Sequence, residues 1–326
     1  MASLLRNIAV CAFSVCTLGG FAQQDRNLIV HKTDGTTQTI NLTDVDSLTF
    51  EKRQTGALSI DLDIHSTYAK EMLRCSDPTM RYYVSYLEKE YFDLYTSDEQ
   101  LAEEDKTWFV EMAEASGMSV ESLVESYTYT GDFDDYQTDL LPGREYVIWM
   151  HGVDNEGNCT TPITKVAFRT KEAKHTDATI NLQVEKTDDS SLKVVCTPSD
   201  KNHYYTLGYV IKSNMRDEFT GDPLGLRDYM QKGLCAPIYD YLDGDNGSLE
   251  RYLEEAGSKG DQSVTFSGLQ EGVEYYIVAA YIDDEAALCS DIVQIEVAKD
   301  GTIGAPTMVK APQKRIGNTV LRHFKK

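Results

Sequence analysis

Leu140-Leu-Pro-Gly143-Arg-Glu145-Tyr146-Val-Ile148 returns 129 residues later as Leu269-Gln-Glu-Gly272-Val-Glu274-Tyr275-Tyr-Ile277. At the same offset Asp154 meets Asp283, Ile163 meets Ile292 and Phe168 meets Val297. Upstream, Cys75-Ser-Asp-Pro followed by Tyr82-Tyr83-Val84-Ser-Tyr86 is matched by Cys196-Thr-Pro-Ser followed by Tyr204-Tyr205-Thr-Leu207-Gly-Tyr209. Self-similarity at a fixed offset is the mark of one folding unit present more than once. The two copies are expected over 55–172 and 173–301, joined by the polar stretch 171–176. A chain of 326 residues has room for about two domains.

Outward from the motif, the patterns are those of strands. Leu58, Ile60, Leu62 and Ile64 alternate with Ser59, Asp61 and Asp63, and Ile180, Leu182 and Val184 repeat the alternation in the second copy. A period of two places one face in a core and the other in water. Val147-Ile148-Trp149-Met150 and Tyr276-Ile277-Val278-Ala279-Ala280 are instead apolar at every position, as in a strand covered on both faces. A helical segment is the expected cover. Ser97-Asp98-Glu99 opens like an N-cap, Leu101, Trp108, Phe109, Met112 and Ala113 recur at helical spacing, and Gly117 stops the run. Val120, Leu123 and Val124 begin a second short helix, and 224–234 and 249–256 take the same part in copy two. The insert is expected on the outer face of the sheet, with Trp149 and Trp108 meeting there.

Leu-x-x-Gly-x-x-Tyr, at Leu140/Gly143/Tyr146 and again at Leu269/Gly272/Tyr275, resembles the tyrosine corner of immunoglobulin-type sandwiches, in which the Tyr hydroxyl turns back to the backbone just upstream. With Ser191–Pro198 as a second strand, copy two resembles a fibronectin type III domain over its A, B, C, E, F and G strands. The resemblance implies a mainly β fold of tandem immunoglobulin-like (fibronectin type III-like) sandwiches, each with a short helical insertion. Cys196, and by alignment Cys75, stands where that family usually has a core Trp, so these cores must be filled differently. In that topology the end of strand B and the F–G loop share one end of the sandwich. Cys75–Cys159 and Cys196–Cys289 could therefore bridge, contributing roughly 4–5 kcal/mol each at most. Small buried thiols are the alternative, and Cys235 is left over.

The ends carry the expectation of export. Arg6 precedes an apolar run from Ile8 to about Phe21, and Gly20-Phe21-Ala22 offers a cleavage site, so residues 1–22 read as a signal peptide rather than an anchor. Cys11 and Cys16 each follow a Val, which counts against lipidation. No later stretch reaches the about 20 apolar residues of a membrane span. Over 23–54, two β-rich runs flank Asp34-Gly35, a hairpin turn signal. The sequence closes on Val45-Asp-Ser-Leu-Thr-Phe50. This order resembles the short hairpin leader found behind the signal in many Bacteroidetes cell-envelope proteins, which implies a periplasmic, cell-surface or secreted protein. The stretch 302–326 holds six basic residues and no acidic one, either a solvated tail or a basic arm. Across the whole chain 53 acidic residues face 31 basic, a net charge of −22, and a nucleic-acid surface is excluded.

No catalytic motif is present. The six histidines are scattered, and no His-Glu-x-x-His, Gly-x-Ser-x-Gly or Gly-rich phosphate loop occurs. His151 on the F strand reads as a surface residue, and a Cys75–His151 pair would need an unbridged thiol. Asp240, Asp243, Asp245, Asn246 and Glu250 form the densest oxygen-ligand cluster, but Gly247 falls one place early for an EF-hand, so a solvated loop competes with a calcium site and no cofactor is expected. The reading that follows is a non-enzymatic binding or adhesion module for a protein or glycan partner at the cell envelope. The alternative is an accessory subunit or enzyme of extracellular glycan processing, its site between helical insert and sheet.

Overall fold

Alternation and turn chemistry resolve into two similar sandwiches in the computed structural model, which describes residues 27–31, 37–41, 56–217, 221–242 and 248–311. The segment 1–22 read as a signal peptide, most of the basic stretch 302–326, the expected turn at Asp34-Gly35, and Asp243, Asp245 and Asn246 lie outside these residues. The chain divides into a unit up to Arg53 and a second from Gln54 onward. The first holds an antiparallel hairpin of β1 (Asn27–His31) and β2 (Thr37–Asn41), in the register Asn27↔Asn41 to His31↔Thr37.

The second unit begins with β3 (Leu58–Ile64), β4 (Ala69–Cys75) and β5 (Arg81–Glu88). Helices α1 (Lys89–Phe92), α2 (Asp98–Ser116) and α3 (Val120–Ser126) follow, then β6 (Tyr129–Thr130), β7 (Phe133–Gln137), β8 (Glu145–Gly152) and β9 (Thr164–Arg169). The sheets run β3-β4-β7 and β6-β5-β8-β9, antiparallel throughout. The second sandwich follows the same A-B-C-helices-E-F-G order, without a counterpart of β6 and with β16 added at the opposite edge: β10 (Ile180–Asp188), β11 (Ser191–Pro198), β12 (Tyr205–Ile211), α4 (Leu226–Cys235), α5 (Ile238–Leu242), α6 (Leu249–Ala256), β13 (Gln262–Phe266), β14 (Tyr275–Tyr281), β15 (Ile292–Val297) and β16 (Thr307–Val309). Its sheets are β10-β11-β13 and β12-β14-β15-β16. This is the A-B-E and C-F-G division of a fibronectin type III-like sandwich, twice, with a helical insertion after the third strand each time.

Local chemistry sets the boundaries. The Ser97 side chain caps α2 by accepting from Gln100 N, and Gly117, in the left-handed region at φ 66°, ends it. At the E–F corners the Tyr146 hydroxyl accepts from Leu141 N at 2.9 Å and the Tyr275 hydroxyl from Gln270 N at 2.7 Å. Each corner needs a positive φ two residues before the motif's acidic residue, met by Gly143 (67°) and Gly272 (78°).

Between the sheets of the first sandwich lie Leu58, Ile60, Leu73, Cys75, Tyr82, Ile148 and Met150; the second has Leu182, Val194, Cys196, Tyr205, Ile277, Tyr281 and Ile295. With Cys in the position of the family's Trp, buried tyrosines supply the bulk. Tyr82 donates its hydroxyl to Gly131 O at 3.0 Å and Tyr205 to Gly260 O at 2.8 Å, so each ring fills the core while its polar end is paired. Tyr82 and Tyr205 are the structural equivalents; the sequence alignment, which set Tyr82 against Tyr204, was one residue out of step.

Candidate functional site: inserts, seam and exposed apolar face

Along β8, Ile148 and Met150 point between the sheets, so Trp149 and His151 face outward, where the first insert covers them. Leu101, Asp105, Phe109 and Ala113 form the buried stripe of α2 at four-residue spacing. Asp105 accepts from Trp149 Nε1 at 2.9 Å and lies 3.0 Å from His151 Nε2, while His151 Nδ1 is 3.0 Å from Gly152 O. His151 has no exposed surface and both ring nitrogens face oxygens, correcting its reading as a surface residue. Trp149 packs on Phe92, not Trp108; with Phe109 turned to the sheet, Trp108 lies to its side against Tyr83 and Tyr127. The equivalent positions in the second sandwich are Val278 and Ala280, packed with Met230, Leu234, Tyr252 and Leu253. At these two positions one copy has a buried polar network and the other apolar contact, although α4 also bonds the F–G turn through buried Gln231, which donates to Ala286 O and accepts from Leu288 N.

The two sandwiches meet along a seam built from the A–B turn of the first and the F–G turn of the second. Glu285 Oε1 is 2.9 Å from His65 Nδ1, and its Oε2 accepts from both Ser66 N and Ser66 Oγ at 2.7 Å. Thr67 Oγ1 donates to Glu285 O at 2.6 Å. Burial alone would raise the Glu285 pKa, but the hydrogen bonds from His65 and Ser66 outweigh it and hold the group at about 2. The connecting stretch is itself pinned: Lys174 N donates to Asp283 Oδ2, Lys174 Nζ pairs with Asp284 at 2.5 Å and Thr176 N donates to Cys289 O. The second insert adds to the seam. Tyr68 and Tyr136 of the first sandwich pack into its apolar cluster, Tyr239 Oη donates to Asp135 Oδ1 at 2.9 Å, and Arg144 pairs with Asp228 at 2.7 Å.

Behind Asp135 sits a second carboxylate that strand parity places inside the first sandwich. Glu71 lies between Ala69 and Leu73 on the inward face of β4, directly opposite Asp135 of β7, and is 6% exposed. Burial first, and then the charge of Asp135, push its pKa up to about 7.

Among the described residues the cysteines do not bridge. Cys75, Cys159, Cys196, Cys235 and Cys289 are all free thiols, so the expected Cys75–Cys159 and Cys196–Cys289 disulfides are absent among the described residues. The thiols are satisfied otherwise. Cys75 donates to Asp77 O and Cys159 to Thr161 O, each at 3.0 Å, while Cys196 and Cys289 are buried among apolar side chains. Of the calcium candidates, Asp240 is on α5 and Glu250 on α6, and Asp243 and Asp245 lie outside the described residues. No group of three metal-ligating side chains occurs among the described residues.

The inserts differ in what they leave uncovered. Five large apolar residues of the first insert and its flanks are exposed: Tyr91, Leu94 (71%), Val110, Met118 and Tyr127. In the second insert only Tyr239 is so exposed among the described residues, and its hydroxyl is bonded across the seam.

No family model matches the chain, and no curated protein matches it. Among solved structures, a two fibronectin type III domain segment from chicken tenascin matches over 78% of this chain and 97% of that one, with 11% identity and a TM-score of 0.19. At that score the superposition carries no argument. The fibronectin type III-like assignment stands on strand order and pairing.

Proposed function

We propose that this chain is an exported, non-enzymatic binding or adhesion module of the cell envelope, periplasmic, surface-held or secreted, that engages a protein or glycan partner through its first helical insert. One observation carries the reading. Both inserts cover the same outer sheet face, yet the second is used up in the seam while the first leaves Tyr91, Leu94, Val110, Met118 and Tyr127 in water. Exposed apolar groups spread over one insert and its flanks, carried on a hydrogen-bonded scaffold, suit recognition. The signal-like residues 1–22 and the hairpin leader support export. The insert–sheet junction, where an enzymatic reading would place its site, is filled by Phe109, Leu123, Val124, Trp149 and His151.

Glycan arrays and envelope-fraction binding, run with the mature chain and a Leu94→Asp/Tyr127→Asp variant, test this. Reproducible binding by the wild type that the variant loses while keeping its circular dichroism supports the module. Binding unchanged in the variant, or turnover of any glycan, overturns it.

A further inference from the structure

A cavity of about 110 Å³ opens in the seam, between the E–F corner of the first sandwich, the connecting stretch, α4 and the F–G turn of the second. Its walls carry Arg144, His175, Arg227 and Asp228 beside the apolar Ala173 and Leu288. The charges in these walls are not equally satisfied. Asp228 is paired with Arg144 at 2.7 Å, and Glu172, also in the wall, with Arg169 at 2.9 Å.

Among the described residues no carboxylate lies within ion-pair distance of Arg227. A guanidinium has five N–H donors. Arg227 Nη1 donates to Leu288 O at 3.2 Å and Nη2 to Ser290 O at 2.5 Å, both backbone carbonyls. Its Nε is buried without an acceptor, the one such side-chain atom among the described residues. Burial lowers the Arg227 pKa, an effect that the more distant Asp291 and Asp228 offset only in part. A half-buried cation with donors to spare is held at a cost unless an anion meets it, and a planar fork favours a carboxylate over a spherical ion.

We propose that this cavity is a binding site for a small carboxylate, held by the Arg227 guanidinium with Arg144 and His175 at the rim and Ala173 and Leu288 against its carbon atoms. Volume limits the ligand. At about 30 Å³ per water the cavity holds roughly four waters, so acetate or pyruvate fits within it, whereas a hexuronic acid would have to project into solvent. The inference does not depend on the insert face proposed above.

Isothermal titration calorimetry of the full chain with sodium acetate, pyruvate and glucuronate tests it, against matched sodium chloride. Saturable binding of acetate or pyruvate, tighter than any binding of glucuronate, is expected. It should weaken at least about tenfold in Arg227→Gln and also in Ala173→Phe, which fills the cavity and leaves the guanidinium and its two carbonyl bonds in place. Leu94→Asp should bind as the wild type does. Absence of saturable binding by either small carboxylate, glucuronate binding as tightly as acetate, or full binding by Ala173→Phe overturns the assignment.

Discussion

Glu71 occupies an inward position of β4 that its neighbours Ala69, Leu73 and Cys75 fill with small or apolar groups. Its pKa stands at about 7 against an ordinary 4.5, so between these values the folded state holds a proton that the unfolded chain releases. The stabilisation is therefore complete below about 4.5 and is lost as pH rises through about 7. On the order of 2–4 kcal/mol is involved. Glu71→Gln, which imitates the protonated form, should raise the urea midpoint at about pH 8 and flatten the decline between about pH 5 and pH 8. An unchanged profile would show that Glu71 is not the titrating group. Thiol chemistry gives a second reading at this scale. Burial pushes Cys196 up to about 11 and Cys235 and Cys289 up to about 12. All three should resist iodoacetamide in the native protein at about pH 8 and react once denatured, as mass spectrometry of the labelled peptides would report. Labelling of any of them in the native state would mean that the core opens locally.

At the scale of elements, much was legible. The Ser97 cap, the Gly117 stop and the two-sided apolar run of β8 are local signals, and each rests on a backbone requirement that acts within a few residues. The alignment of Tyr82 with Tyr204 failed because the loops before the third strand differ in length, and in a strand one residue of slip exchanges the two faces. The core position of Glu71 follows from strand parity, but among so many acidic residues its charge does not stand out. Asp105 gave no sign: it is one carboxylate among several on α2, and only the docked helix shows that it meets Trp149 and His151. Asp105→Ala should strand both partners, buried, and cost roughly 3–5 kcal/mol. Leu234→Ala at the apolar counterpart should cost roughly 2–5 kcal/mol through a cavity instead. Chemical denaturation of the single and double variants distinguishes these. Additive losses are expected, because the two inserts hold different sandwiches by different means; strong coupling would contradict that independence.

For the whole molecule, the repeat shows that there are two units and says nothing of how they join. The joining contacts run between residues far apart in sequence, 84 positions from Arg144 to Asp228 and 220 from His65 to Glu285, and no periodicity reports on such pairs. The seam nevertheless has a chemical centre. Glu285 is one carboxylate that meets three donors on one turn, and its side chain is 18% exposed, so water competes poorly for it. Because its folded pKa is depressed to about 2, the stabilisation it supplies is present above its ordinary 4.5 and lost as pH falls through about 2. Glu71 acts in the opposite sense, so the coupled unit should be most stable in the mildly acidic range between the two losses. Glu285→Ala removes the acceptor and leaves Ser66 N and Oγ unpaired at the A–B turn, a cost of roughly 2–4 kcal/mol placed wholly at the seam. Each sandwich keeps its own core, since Leu182, Val194 and Ile277 in one and Leu73, Tyr82 and Ile148 in the other do not touch Glu285 through any of these bonds. The variant should therefore unfold in two resolved calorimetric transitions where the wild type shows one, with a larger radius of gyration by small-angle X-ray scattering at neutral pH. The wild type should approach the same behaviour only as the pH nears about 2. A variant with a single transition and an unchanged radius would place the coupling elsewhere, in the contacts of Tyr68, Tyr136 and Arg144 with the second insert.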